Sequence, residues 1–249
     1  MSTSRTIVCL GLLAAWGFFC AGLAAEDVAP VAGDVTIVAH GKQARSAGGG
    51  AADASDVVVW LVPLDDSSSA AGRNAAGGRK PEIIQRNKTF EPHVLAVQVG
   101  TLVAFPNEDP FFHNIFSLFD GKRFDLGLYE AGTTRTVRFD RPGVSFLFCN
   151  IHPQMSAVVV AVDTPYFALT NRAGHWMIEG VPDGRYEMHV WYERSLPEDL
   201  KNLARPIEIS GSTRNVDRIR ILQNPNFTLA HKNKYGQDYV PPPASDYAH

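Results

Sequence analysis

The amino-acid sequence predicts an all-β protein made of two successive β-sandwiches, of which the first is the larger. Short runs rich in β-branched and aromatic residues follow one another along the chain, and Gly, Pro, Asn and Asp separate them. Helical periodicity is nearly absent. A turn at residues 163–165 divides these runs into two groups, which indicates two structural units.

The first unit is predicted to span residues 34–163 as a Greek-key β-sandwich. Its predicted strands are residues 35–39, 56–62, 93–99, 102–106, 114–118, 134–139, 144–149 and 157–162. Two segments between the early strands, 45–55 and 65–78, are rich in Ala, Gly and Ser. We expect mobile loops there, because such segments cannot bury enough apolar surface to offset chain entropy.

The second unit is predicted to span residues 164–222 as a smaller β-sandwich. Its last central strand alternates, so that Tyr186, Met188, Val190 and Tyr192 should share one face. Residues 195–203 suit one short helix. Residues 223–249 are polar and proline-rich, and we expect an extended tail there.

The N-terminus predicts export through a signal peptide at residues 1–25. Arg5 precedes an apolar run over residues 7–23, and small residues that suit cleavage follow it. A retained membrane anchor is the alternative, because this run of 17 residues reaches the lower limit for a membrane span. Two phenylalanines before Cys20 disfavour a lipoprotein. We therefore expect a periplasmic or secreted protein with no stable membrane span after cleavage.

Charge and cysteine content limit the possible partners of the protein and the possible roles of its one remaining cysteine. Loss of Arg5 with the signal peptide changes the formal net charge from −3 to −4, which gives no reason to expect nucleic acid as a partner. Cys9 and Cys20 leave with the same peptide, so the exported chain keeps only Cys149 and has no internal disulfide. An unpaired thiol in an oxidising compartment serves as a metal ligand, a nucleophile, a disulfide to a partner or an inert buried side chain.

The residues after Cys149 favour the metal ligand. His152 and Met155 follow three and six positions later, a spacing that suits a tight loop around one ion. Thiolate, imidazole and thioether donors favour copper, whereas structural zinc rarely takes a thioether. One loop cannot surround a metal, and His113, just before a predicted strand, supplies a second histidine. A catalytic Cys149–His152 pair is the alternative, and it leaves Met155 without a role.

The first unit resembles the cupredoxins, the blue-copper family, over about residues 93–162. The pattern E-P-H-V-x-x-V-x-V-G-T-x-V-x-F-x-N-x-D-P-x-x-H-N ends at Asn114, and the loop C-x-x-H-P-x-M has the spacing of amicyanin. The resemblance implies that Asn114 ties two ligand loops together by hydrogen bonding. It also implies one type 1 copper ion with a weak axial thioether. The implied ligands are His113, Cys149, His152 and Met155.

The second unit resembles the carboxypeptidase-regulatory and transthyretin-like β-sandwiches over about residues 164–222. The motif T-x-x-x-G-x-W begins at Thr170, and V-P-x-G-x-Y begins at Val181. The whole chain is similar to exported bacterial proteins named for methylamine utilisation, which join two such domains.

These resemblances imply an electron carrier for a redox partner protein rather than an enzyme. A blue-copper site changes oxidation state with little ligand motion, and apolar neighbours are expected to raise its potential and exclude water. Those neighbours are Phe105, Phe111, Phe112 and Phe148. A copper-binding structural or storage protein is one alternative, and a non-catalytic subunit of an envelope enzyme that binds through the second unit is another.

Overall fold

The computed structural model describes residues 29–39, 53–65, 80–118 and 120–239, and these ranges contain sixteen strands and one short helix. The predicted signal peptide and most of the two Ala/Gly/Ser-rich segments lie outside the described residues. The strands are β1 Val31–Ala39, β2 Val58–Pro63, β3 Ile84–Arg86, β4 Thr89–Glu91, β5 Val94–Gln98, β6 Leu102–Pro106, β7 His113–Ser117, β8 Phe124–Tyr129, β9 Thr134–Arg138, β10 Gly143–Phe148, β11 Ser156–Val162, β12 Phe167–Leu169, β13 His175–Ile178, β14 Gly184–Trp191, β15 Arg205–Ile209 and β16 Asn215–Gln223. The helix α1 is Pro197–Lys201. The all-β prediction is confirmed, and no helix in the described ranges is long and apolar enough to cross a membrane.

The first sandwich is built on a five-stranded sheet with the order β5-β11-β10-β7-β8. The β6–β9 pair and the β3–β4 hairpin pack against this sheet across an apolar core. Phe105, Phe139 and Leu147 are fully buried in that core. Strands β7 and β10 are neighbours in the sheet, so the residues at their adjoining ends are brought together.

Strand β11 is buried on both faces, which explains its uninterrupted apolar sequence. Ala157 and Val159 point into the core of the first sandwich. Val158 and Val160 alternate with them and pack against Val58 of β2. The two sandwiches are therefore joined by a dry apolar contact between a face of each.

The second sandwich recruits the first two strands of the chain. Strand β1 lies between β13 and β16, in parallel pairing with β16, and β2 lies between β12 and β14. Both strands were predicted to belong to the first unit, which spans 34–163, but they pair with strands of the second sandwich. The physical reason is that the strands that pair with β1 and β2 come from distant parts of the chain. The alternation of residues within one strand does not specify which strands it pairs with.

The predicted alternation in the second sandwich is confirmed in strand β14 and just beyond it. Tyr186, Met188, Val190 and Tyr192 are all buried in one apolar core. Helix α1 lies within the predicted helical segment but is only five residues long.

A protonated histidine links the two sandwiches beside β5. The His93 Nδ1 atom lies 3.1 Å from the Ser156 carbonyl oxygen, and Nε2 lies 2.8 Å from the Glu193 carboxylate. Both partners only accept, so both ring nitrogens carry a proton. The hydrogen bond that His93 donates to Glu193 is the main cause that raises the pKa of His93 above its ordinary value, against the effect of burial. The charge of the Asp56 carboxylate also raises the pKa of His93, and burial raises the pKa of Asp56 itself.

We expect the contribution of His93 to stability to be lost as the pH rises. Its folded pKa lies above the ordinary value of about 6.5, so the contribution is complete below that pH and disappears through the folded pKa. Urea unfolding of the metal-free protein from about pH 6 to about pH 9 measures it. The free energy of unfolding should fall more steeply in the unsubstituted protein than in His93→Gln or Glu193→Gln. Identical pH profiles for the three proteins would contradict the linked pair.

Candidate metal centre

Two adjacent strands deliver the predicted ligands to one end of the first sandwich. His113 is the first residue of β7, and Cys149 directly follows β10. The chain then turns back towards β11 through residues 149–155, hereafter the ligand loop. In this loop the Cys149 N–H donates to the Met155 carbonyl at 3.3 Å, and the Met155 N–H donates to the His152 carbonyl at 3.1 Å. The loop is therefore closed by its own backbone.

Three of the predicted ligands meet in a compact triangle. The Cys149 sulfur lies 3.8 Å from His113 Nδ1 and 3.7 Å from His152 Nδ1, and the two nitrogens are 3.1 Å apart. Cys149 and His113 are fully buried, whereas His152 is partly exposed. In the described part of the chain, no other group of three His, Cys, Asp or Glu side chains is arranged to hold a metal ion.

One metal ion fits among these three atoms. Metals of this class lie about 2.0 Å from an imidazole nitrogen and about 2.3 Å from a thiolate, so donors that share an ion stand about 3 to 4 Å apart. The observed separations fall in that range. A thiolate with two imidazoles suits copper or zinc and disfavours the hard cations that prefer oxygen.

The fourth predicted ligand, Met155, shares an apolar core with Cys149. It is fully buried and packs in the apolar core that also contains Cys149. The structure therefore brings the four predicted residues to one end of the sandwich, with three donor atoms in a triangle and the thioether side chain in the adjoining core.

The electrostatics of the site act differently on the two kinds of donor. Burial lowers the pKa of His152 to about 4, and the charges of His113 and Lys88 act in the same direction. The His152 imidazole is therefore neutral near pH 7 and keeps a lone pair for a metal. Burial raises the pKa of Cys149, but backbone N–H groups of Asn114, Ile151 and His152 oppose this effect. The same N–H groups favour the thiolate that a metal requires.

A buried carboxylate orients His113. The Asp109 Oδ2 atom accepts a hydrogen bond from His113 Nε2 at 2.7 Å, and the Asp109 side chain also accepts the backbone N–H groups of Asn87 and Lys88. Burial acts to raise the pKa of Asp109, but the hydrogen bonds from Lys88, His113 and Asn87 outweigh it and lower that pKa. Because Nε2 carries the proton, Nδ1 is left with its lone pair facing Cys149 and His152.

The β3–β4 turn is shaped to make this contact. Asn87 and Lys88 have φ values of 55° and 56°, in the left-handed region that non-glycine residues seldom occupy. Their two N–H groups converge on the Asp109 carboxylate, and these hydrogen bonds compensate for the strained backbone. Asp109 was not among the residues singled out from the sequence. Its position four residues before His113 was the available signal.

Asn114 links the two ligand-bearing segments through its backbone and not through its side chain. Its Nδ2 atom donates to Asp125 Oδ1 at 2.7 Å, and its buried Oδ1 has no hydrogen-bond partner. Only the backbone N–H of Asn114 reaches across to the ligand loop, at the sulfur of Cys149.

The predicted aromatic shell is partly in place. The Phe111 ring lies 5.2 Å from the His113 ring and 5.7 Å from the His152 ring, between centroids. Phe105 and Phe148 are buried, but Phe112 is 55% exposed. Three of the four phenylalanines can therefore exclude water from the donors.

The segment after β16 contributes contacts that the sequence analysis missed. It has no regular secondary structure, as expected for a tail, and most of its described residues are exposed, but some of them contact the first sandwich. The Tyr239 hydroxyl donates to the Cys149 carbonyl at 2.6 Å, and the His231 ring stacks on Phe148 with 4.0 Å between centroids. No motif in the sequence pointed to these contacts.

Comparison with known proteins gives partial matches among solved structures only. No family model matches the chain, and no curated protein matches it. The chain is similar to a purple cupredoxin from Nitrosopumilus maritimus at 26% identity, over 33% of this chain and 99% of that one, with a TM-score of 0.31. It is similar to a copper-containing nitrite reductase from Thermus scotoductus SA-01 at 26% identity, over 41% of this chain and 28% of that one, with a TM-score of 0.33. A reduced tryptophan-to-tyrosine mutant of amicyanin matches at 17% identity, over 41% of this chain and 91% of that one, with a TM-score of 0.31. Each likeness covers less than half of this chain, and the metal centre is inferred from the donor atoms described above.

Proposed function

We propose that this protein is an exported, mononuclear type 1 copper protein that acts as an electron carrier. The observation that carries the proposal is the buried triangle of one cysteine sulfur and two histidine nitrogens, with separations of 3.1 to 3.8 Å. In the proposal, His113, Cys149 and His152 would hold the ion, and Met155 would supply a weaker fourth donor. Bound copper would supply a one-electron couple between Cu(II) and Cu(I).

The surrounding residues support fast electron exchange because they keep the donors still. Asp109 fixes the His113 ring, and the backbone hydrogen bonds between Cys149, His152 and Met155 close the ligand loop. Donors held in this way need little rearrangement when the charge of the site changes. The buried core around Cys149 also excludes water from the sulfur.

The partly exposed His152 is the proposed point of electron entry and exit. His113, Cys149 and Met155 are fully buried, and Ile151 beside His152 is 43% exposed. A redox partner protein can therefore approach the donors most closely at this edge. The same burial disfavours substrate chemistry, so we propose a carrier and not an enzyme.

The proposal extends to the compartment and to the second sandwich. The N-terminal 25 residues suit an exported protein of the periplasm or the secreted fraction. The second sandwich, whose motifs resemble transthyretin-like domains, is proposed as a docking or spacing module, and the combination of the two domains resembles exported proteins of the methylamine-utilisation type.

Cyclic voltammetry of the copper-loaded protein tests the electron-carrier role. We expect a reversible one-electron wave and rapid reduction and reoxidation by small redox reagents. Tight copper binding without a reversible wave would favour a structural or storage protein. Turnover of a substrate by the isolated protein would instead favour an envelope enzyme, and either result would overturn the proposal.

We expect Met155 to tune the potential more than the copper affinity. A thioether in the axial position binds weakly, while the thiolate and imidazoles supply most of the bond strength. Met155→Gln offers a harder oxygen that favours Cu(II), so the potential should fall, and Met155→Leu removes the donor, so it should rise. The exposed Met177 of the second sandwich provides the control variant Met177→Leu. Equal potentials in the two Met155 variants would show that Met155 is not axial.

A further inference from the structure

Residues 231–239, hereafter the C-terminal strap, contact the ligand loop at two positions. The Tyr239 hydroxyl donates to the Cys149 carbonyl at 2.6 Å. The backbone N–H of Lys234 donates to Asn150 Oδ1 at 3.0 Å. The strap is therefore hydrogen-bonded to the first two residues of the ligand loop.

The strap also reaches the segment that carries His113. Lys234 Nζ lies 2.7 Å from Asp125 Oδ2, and Asp125 Oδ1 accepts the Asn114 side-chain amide at 2.7 Å. Asn114 directly follows His113 in β7. The path from Lys234 through Asp125 to Asn114 thus links the strap to the second ligand-bearing segment.

Two aromatic contacts fix the strap in place. The His231 ring stacks on Phe148 with 4.0 Å between centroids and an interplanar angle of 24°. It also meets the Tyr239 ring edge-on at 5.4 Å, and the Tyr239 hydroxyl lies 3.3 Å from His231 Nδ1. Burial raises the pKa of Tyr239 to about 12, so its hydroxyl stays a donor near neutral pH.

We propose that the C-terminal strap ties the two ligand-bearing segments together and that Tyr239 is a positioning residue that fixes the peptide unit of Cys149. The copper-release and potential measurements for this inference rest on the proposed function. The strap contacts themselves belong to the metal-free fold. The strap adds a second link to the one that the Asn114 backbone N–H makes with the Cys149 sulfur. A hydrogen bond on the Cys149 carbonyl holds the loop in the conformation that places the sulfur opposite the two imidazoles.

The test compares Tyr239→Phe with Tyr235→Phe in the full chain. Tyr235 lies in the same strap but is 71% exposed, so its variant is a matched control. Loss of the Tyr239 hydrogen bond should accelerate copper release to a chelator about fivefold and shift the reduction potential. Tyr235→Phe should match the unsubstituted protein in both measurements. Equal release rates and potentials in all three proteins would overturn the role of Tyr239.

Hydrogen exchange of the metal-free protein separates this inference from the proposed function. The backbone amides of Cys149 and Met155 are hydrogen-bonded within the ligand loop, and Tyr239→Phe should speed their exchange while leaving β14 amides unchanged. If the unsubstituted protein fails to bind copper, the electron-carrier proposal fails, yet faster loop exchange in Tyr239→Phe still supports the strap. Unchanged loop exchange overturns the strap whether or not copper binds.

Discussion

Cys149→Ser is expected to abolish the intense visible absorption of the copper-loaded protein. That absorption arises from charge transfer between a thiolate and Cu(II), and a serine hydroxyl cannot replace the sulfur as the electron source. Copper affinity should fall as well, because the thiolate is the softest donor of the triangle. Absorption spectra recorded during copper titration of both proteins measure the two effects.

The fold should survive this substitution. Cys149 is fully buried, but the backbone N–H groups of Asn114, Ile151 and His152 that face its sulfur can donate to a serine oxygen. Circular dichroism of the metal-free variant should therefore match that of the unsubstituted protein. A Cys149→Ser variant that folds and still absorbs intensely would refute the assignment of Cys149 as a ligand.

Asp109→Ala is expected to weaken both the fold and the metal centre. The substitution leaves His113 Nε2 and the N–H groups of Asn87 and Lys88 without their acceptor, and each orphaned donor costs about 1 to 3 kcal/mol where it is buried. The free energy of unfolding of the metal-free protein should fall by about 1 to 3 kcal/mol, because His113 is the fully buried donor of the three. Copper affinity should fall about 10- to 100-fold, because His113 loses the group that sets its orientation and proton position.

The neighbouring carboxylate provides the control for Asp109. Glu108 is exposed and pairs with Arg86 on the surface, so Glu108→Gln should change neither property measurably. Asp109→Asn retains one acceptor oxygen and should fall between the two. Urea unfolding and competition with a copper chelator give both quantities. If Asp109→Ala behaved like Glu108→Gln, the buried carboxylate would have no role in positioning His113.

The candidate ligands could be proposed from the sequence because most of them lie close together in it. Cys149, His152 and Met155 lie within seven residues, and their side-chain chemistry alone restricts the metal. His113 was proposed because one loop cannot surround a metal, and the structure places it on a strand that pairs with β10. The buried face of β14 could also be predicted from the sequence, because strict alternation specifies which residues share a face.

The remaining features depend on contacts between distant parts of the chain. A strand such as β2 has the same apolar character whichever sheet it joins. Its place in the second sandwich could therefore not be predicted from its sequence. Strand β8 was missed because Gly127 interrupts it and much of it is exposed. The Tyr239 contact joins residues 90 positions apart, and nothing in a proline-rich polar segment specifies such a partner.

The combined visible and EPR spectrum of the copper-loaded protein tests the central claim most directly. A trigonal site of one thiolate and two imidazoles should give intense visible absorption and an unusually narrow copper hyperfine splitting, because the sulfur shares the unpaired electron. One equivalent of copper should produce the full signal, and Cys149→Ser should lose it. Weak absorption with the wide splitting of ordinary tetragonal Cu(II), or no copper binding at the His113, Cys149 and His152 triangle, would contradict the proposed type 1 centre.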